Sequence, residues 1–170
     1  MAETKDRVRV GVIGVGNYAS SYHVPNLLAN PSAHIQAISD ASAERLAAAA
    51  AVTSVAPERL YADHRQMIEA EALDAVTVSS PHALHADHVR AALERGLHVL
   101  VDKPFVLRSA EARELIQLAE ARGTILLVAL NRHLDPSNLY ARDLIRSGEI
   151  GEPVFARSLQ VAYPPGGFYA

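Results

Sequence analysis

The chain has no cysteine among its 170 residues, which excludes disulfides, thiolate metal sites and cysteine nucleophiles and agrees with a reducing compartment. It has no apolar run near the ~18 residues of a membrane span. Its first ten residues, MAETKDRVRV, alternate charges where a secretory leader would be apolar. These absences predict a cytoplasmic protein with no membrane partner. Nor is there a basic stripe: the net charge is -3, acids and bases interleave, and nucleic acid is not an expected partner. What is present is the balance of a folding chain, 49% hydrophobic and 21% charged. The length suits one domain of common size, or one domain and the beginning of another, burying roughly two thirds of the unfolded surface.

Short apolar runs alternate with longer segments of helical period, the pattern of βαβ units around a parallel sheet. The strands are expected at residues 7–13, 34–39, 59–62, 75–79, 97–101 and 124–130, and read as continuous Val/Ile/Leu runs covered on both faces. Between them, 110–122 places Ala112, Leu115, Ile116 and Ala119 on one helical stripe, with Ser109 as a candidate cap and Gly123 beyond the end. Residues 82–95 behave alike between Pro81 and Gly96, and the alanine-rich 42–51 favours helix by propensity. After Asn131 the pattern changes. Pro136 opens a helix that Gly148 and Gly151 close, and 153–163 reads as a further strand before a PPGGF turn. With no later partner, that strand is expected to be the first piece of an incomplete second domain.

The first strand leads into GVIGVGNYAS, where Gly14, Gly16 and Ala19 satisfy G-x-G-x-x-A. The first glycine permits a tight turn, the second lets a diphosphate approach bare backbone, and the small third residue lets the following helix pack on the strand. Amides and the helix dipole would face the phosphates. The next strand ends in Asp40, where an acid can hold the adenosine ribose hydroxyls; Asp40 could instead cap a helix, although Ser42 can fill that role. A carboxylate there repels a 2′-phosphate and favours NAD; Arg45, one turn later, keeps NADP open. The expected architecture is an α/β Rossmann fold, a doubly wound parallel sheet over residues 1–131, followed by the first helix and strand of a truncated α+β domain over 132–170.

Ligands of such a sheet lie at the carboxyl ends of its strands. Four of those ends carry polar groups: Gly14–Tyr18, Ser79–His85, Asp102–Lys103 and Asn131–His133. Lys103 would sit by the substrate hydroxyl, where a desolvated amine can shuttle a proton; the plainer reading is a surface lysine paired with Asp102.

The stretch SSPHALHADHVRAALERGLHVLVDKPF, with YHVPNLL, LNRH and SGEIGEP around it, resembles the glucose-fructose oxidoreductase and inositol dehydrogenase family, Gfo/Idh/MocA. The resemblance implies an NAD(P)-dependent oxidoreductase acting on sugars, polyols or related hydroxy compounds, with Lys103 catalytic and a cis bond before Pro104. It would place cofactor contacts on Gly14, Gly16, Asn17, Tyr18, Asp40, Ser80, Pro81, His85, Asp102 and Asn131, with Lys103 and Arg132 beside them. Asp102 replaces the family's usual glutamate. The family's substrate domain, with its catalytic histidine and usual oligomer interface, lies beyond the resembling portion, so a homo-oligomer is expected of the full-length form. The alternative is a non-catalytic NAD-binding module or sensor.

No metal is expected. His82, His85 and His88 recur at spacings of three, but zinc normally needs three or four ligands, and no HExxH pattern accompanies them. His85 is expected to face the cofactor. His34, His64 and His98 read as ordinary surface or satisfied core groups, Tyr22 as packing, and Arg90, Arg95, Arg108 and Arg113 as solvated helix faces.

Overall fold

A computed structural model describes residues 7–159 and divides the chain into two compact units, 1–130 and 131–170. The first contains six parallel strands: β1 Val8–Ile13, β2 Ala33–Ser39, β3 Leu60–Tyr61, β4 Ala75–Val78, β5 His98–Val101 and β6 Leu126–Val128. Their order in the sheet is β3-β2-β1-β4-β5-β6, so the chain direction across the sheet reverses between β1 and β4. A doubly wound sheet opens its ligand crevice at such a switch point. The connecting helices are α1 Val24–Ala29, α2 Ala43–Thr53, α3 His64–Ala70, α4 His85–Glu94 and α5 Ser109–Arg122.

Both faces of the sheet are covered, and the core divides accordingly. One cluster joins Ile13, Met67, Val76, Val89, Leu93 and Leu115; the other joins Val12, Val24, Ile35, Ile38 and Leu46. Ile35 and Ile38 differ in parity yet share a cluster. The register explains this: Ile35 pairs with Val10 and Ala37 with Gly11, so Gln36 is an extra residue in β2, and the bulge resets the alternation. The Gln36 amide donates to Glu71 at 3.1 Å.

Three local expectations change. Ser109 begins α5 rather than capping it; Arg108 holds the cap position without a side-chain bond. On the same helix Leu115 and Ala119 are buried, but Ile116 stays about half exposed, because the face turned to the sheet is narrower than the apolar stripe. The helix after the glycine loop begins as a π turn, Ala19–His23, closed by Val24 N–H on the carbonyl of Ala19. Pro25 has no N–H to continue an α-type ladder there. Elsewhere the signals hold: Ser42 caps α2 through its hydroxyl, and Gly123 ends α5 in the left-handed region at φ 64°.

The second unit contains a 3₁₀ turn, Arg132–Leu134, and helix α6, Pro136–Ser147, which Gly148 terminates at φ 74°. The expected strand at 153–163 does not form over 153–159, which are exposed and without ladder bonds. Residues 160–163 lie outside the described residues.

At the amino end of the sheet, Arg9 and Asp74 tie β1 to the start of β4. The guanidinium donates to both carboxylate oxygens at 2.7 and 3.0 Å, and the Arg9 amide donates at 2.7 Å. These bonds hold the Asp74 carboxyl down from 3.8 to about 2. A depressed folded value contributes stability above the unfolded value, lost as pH falls toward the folded one. The pair is solvent-exposed, so its worth is about 1 kcal/mol or less. Asp74→Asn is expected to lower urea stability by that amount at neutral pH, and the gap from the wild-type chain should close as pH falls below 3.8.

Candidate functional site

The parallel ladder continues one residue past each central strand, and those residues build the rim. Gly14 N–H donates to Ser39 O at 2.7 Å, Ser79 N–H to Ile13 O at 2.8 Å, and Asp102 N–H to Val78 O at 2.9 Å. The turns leaving β1, β2, β4 and β5 are thus held side by side.

Gly14 carries the tightest constraint. Its φ is +85°, and a Cβ on it would lie 2.8 Å from the carbonyl carbon of Ser79 and from Ser80 N. Only a bare backbone lets the β1 and β4 turns close together. Gly16 has the opposite surroundings, nothing within 4 Å of where its Cβ would be. That is open space over main chain. Asp40 stands across from it. Its carboxylate accepts from Val15 N at 2.9 Å and from Ser42 N at 2.9 Å, so the acid is locked against the glycine loop. Since Ser42 caps α2, Asp40 is not that helix's cap. Gly14, Gly16, Asp40, Ser80, Pro81 and Arg45 line one cleft of about 210 Å³. Asn17 is exposed and lines a neighbouring groove with Gly16 and Ser20.

Three sequence expectations are placed differently. Asp102 is buried, and its carboxylate accepts from the Ser79 hydroxyl and meets His23 Nε2 at 2.7 Å. Burial alone would raise its pKa, but the bonds from His23 and Ser79 outweigh it and the carboxyl lies below the ordinary range. Each carboxylate oxygen is therefore bonded inward, to a turn beside the strand. His85 has no exposed surface; Nδ1 lies 2.9 Å from Pro104 O and Nε2 2.9 Å from Ser80 O. It braces the backbone of two rim turns and offers nothing to the cleft. Lys103 is exposed, not desolvated, and no carboxylate among the described residues pairs with it; the Lys103–Pro104 bond is cis.

Tyr18 is exposed and stacks on Tyr22 with ring centres 4.8 Å apart, and meets the His23 ring edge-on at 5.5 Å. Partial burial, then the Asp102 charge, raises its hydroxyl pKa. Asn131 and Arg132 belong to the second unit, where Arg132 O accepts from the Asn138 amide at 2.6 Å.

The sequence reading missed His23 and the pair His64 and His88. His23 lay inside YHVPNLL, and the signal for it was the proline two residues later, which reshapes the turn that carries it. His64 and His88 stack with ring centres 4.1 Å apart. Burial lowers the pKa of His64 and takes that of His88 to about 4, the neighbouring imidazole adding to the second. His88 Nδ1 bonds the Ser80 hydroxyl at 2.8 Å, whereas His64 Nε2 is buried without a hydrogen bond, so His64 is not the satisfied group expected. No helix among the described residues is long and apolar enough to cross a membrane.

Residues 8–130 match the oxidoreductase family with an NAD-binding Rossmann fold, Gfo/Idh/MocA. A dTDP-3,4-didehydro-2,6-dideoxy-α-D-glucose 3-reductase of Streptomyces antibioticus is 37% identical over 94% of this chain and 47% of its own length. Scyllo-inositol dehydrogenase of Lactobacillus casei, solved with NAD(H) and scyllo-inositol, superposes with a TM-score of 0.79 at 25% identity, over 86% of this chain and 43% of that one. A 3-ketoreductase of Actinomadura kijaniata, solved with TDP-benzene and NADP, superposes at 0.78 with 28% identity, over 86% and 46%. The chain thus spans less than half the length of these relatives. With the family's model matching most of the chain on the strands and turns that form the glycine cradle, this chain belongs to the Gfo/Idh/MocA oxidoreductase family with its NAD-binding Rossmann fold.

Proposed function

We propose that this chain holds a nicotinamide dinucleotide across the carboxyl ends of β1, β2 and β4, as the cofactor-binding part of an oxidoreductase. The reaction is hydride transfer to or from a hydroxyl-bearing carbon of a sugar, polyol or related compound. One observation carries the reading: a bare cradle over Gly16 and an anchored carboxylate at Asp40 share a single cleft. The amides of the glycine loop suit diphosphate oxygens, and the Asp40 carboxylate suits the vicinal hydroxyls of a ribose. NAD is preferred over NADP, because a 2′-phosphate would meet the charge of Asp40; Arg45 in the same cleft softens that preference.

When bound, the nicotinamide supplies the hydride acceptor or donor. The chain's own contribution to chemistry is Lys103, whose Nζ would give or take the proton at the substrate oxygen. Its position at the β5 end, with the next residue's carbonyl braced by His85, supports that role. A sugar- or polyol-like substrate, a homo-oligomeric full-length form and a cytoplasmic location are part of the same proposal.

Asp40→Ala should weaken NAD binding by about 1.5–3 kcal/mol, the loss of hydrogen bonds to a charged group, read by calorimetric titration; an unchanged isotherm would contradict the ribose role. The two glycines should separate fold from ligand. Gly14→Ala is expected to disturb the β1 and β4 turns and lower thermal stability, whereas Gly16→Ala should leave the melting curve in place and still weaken NAD binding by tenfold or more, about 1.4 kcal/mol. In a full-length protein, Lys103→Ala should abolish NADH oxidation with a panel of keto-sugars while sparing NADH affinity. Full activity there would remove Lys103 from the mechanism, and absence of turnover in an NAD-binding full-length protein would favour the sensor reading.

A further inference from the structure

We infer that His64, His88 and Asp87 form a binding site for a divalent transition-metal ion of the zinc class, joining α3 to α4 at the wall of the proposed dinucleotide cleft, which His64 and His88 line. Each of the three offers one ligand atom, and those atoms all lie within 4.8 Å of one another, so a central ion could reach all three with bonds of about 2.0–2.2 Å after small side-chain rotations. Two imidazoles and one carboxylate are a borderline-soft donor set that suits zinc, cobalt or nickel over magnesium or calcium.

The supporting shell is also present. The Ser80 hydroxyl engages His88 Nδ1 at 2.8 Å, which directs the other ring nitrogen toward metal binding as outer-shell partners do in known histidine sites. Asp87 divides its oxygens: Oδ1 takes the Arg65 guanidinium, and Oδ2 faces His64 Nε2 at 3.5 Å. Asp63 lies on the far nitrogen of the same ring, 3.4 Å from Nδ1, where it can fix the tautomer. His64 Nε2 itself is buried with no hydrogen-bond partner. A buried nitrogen left without a partner is costly, and a cation coordinated there would satisfy it. The histidine run at spacings of three is not the site: His85 is spent on two carbonyls, and His64 joins from α3, 24 residues away in sequence.

His64 and His88 line the cleft proposed for the dinucleotide, so the test is made on the chain without dinucleotide and stands apart from the proposed activity. The tag-free 170-residue chain, cleared of metal with chelator, is titrated with Zn²⁺ by calorimetry and with Co²⁺ by visible absorption. One equivalent should bind, with the intense d–d bands of a low-coordinate cobalt ion and no thiolate band, since the chain has no cysteine. Zinc should also raise the thermal midpoint, because it binds only the folded arrangement. His64→Gln, His88→Gln and Asp87→Asn should each weaken Zn²⁺ binding tenfold or more, while His34→Gln binds as the wild-type chain does. Imidazole NMR signals of the unaltered chain provide a measurement that no folding defect can obscure. Zinc-induced shifts confined to His64 and His88 would support the site. Shifts at His34, His82 or His98 instead, or no stoichiometric binding, would overturn it.

Discussion

The approach of Gly14 to the Ser79–Ser80 peptide is the constraint on which the rim of this molecule depends. Two strands adjacent in the sheet but 65 residues apart in sequence at their paired positions leave it through turns so close that a single methyl group would collide with main chain. Because the sheet reverses its winding between the same two strands, that closeness shapes the floor of the crevice. From it follow the positions of Ser80 and Pro81 on one wall and of Val15, which holds Asp40, on the other. The constraint is backbone against backbone, which no adjustment of rotamers can relieve.

A second layer of order lies under the rim. Asp102, Ser79 and His23 form one part-buried polar knot, and His85 spans the carbonyls of Ser80 and Pro104 as another. Each ties the turn after β4 to the turn after β5, and the first also ties in the π turn after the glycine loop. Buried polar groups of this kind contribute little net energy when satisfied and cost much when broken. Their use here is to fix relative position. Three turns that would otherwise fray as independent loops become one surface, and Lys103 hangs from it at the residue between Asp102 and the braced Pro104.

Much of the fold was legible in the sequence because its signals are local. Runs of Val and Ile, the helix-ending Gly123 and the capping Ser42 each depend on a few neighbouring residues, and all six strands fall where those runs lie. The glycine loop and Asp40 were legible for the same reason, being set by spacing along one βαβ unit. What escaped was decided across the sheet. Whether His85 faces a ligand or a carbonyl depends on where Pro104 O sits; whether Asp102 points out or in depends on His23, 79 residues earlier. His64 and His88 meet because α3 and α4 pack together, and periodicity along either helix has no means of announcing it. The strand expected at 153–163 failed over 153–159 for a related reason, since a strand exists only by virtue of a neighbour.

Asp102, which the family resemblance sets where a glutamate is usual, fits this geometry. A carboxylate one methylene shorter is well placed to accept from Ser79 and His23, both delivered by turns immediately beside it, and a longer side chain would have to fold back to make the same bonds. The shortening therefore draws the charge from the rim into the floor. The charge stays in the chain directly before Lys103 while its hydrogen-bonding capacity is spent on structure. On the proposed reading, Asp40 at the other end of the cleft is the acid that meets the ribose hydroxyls. That proposal concentrates the selectivity of the site at the β2 terminus, away from the lysine.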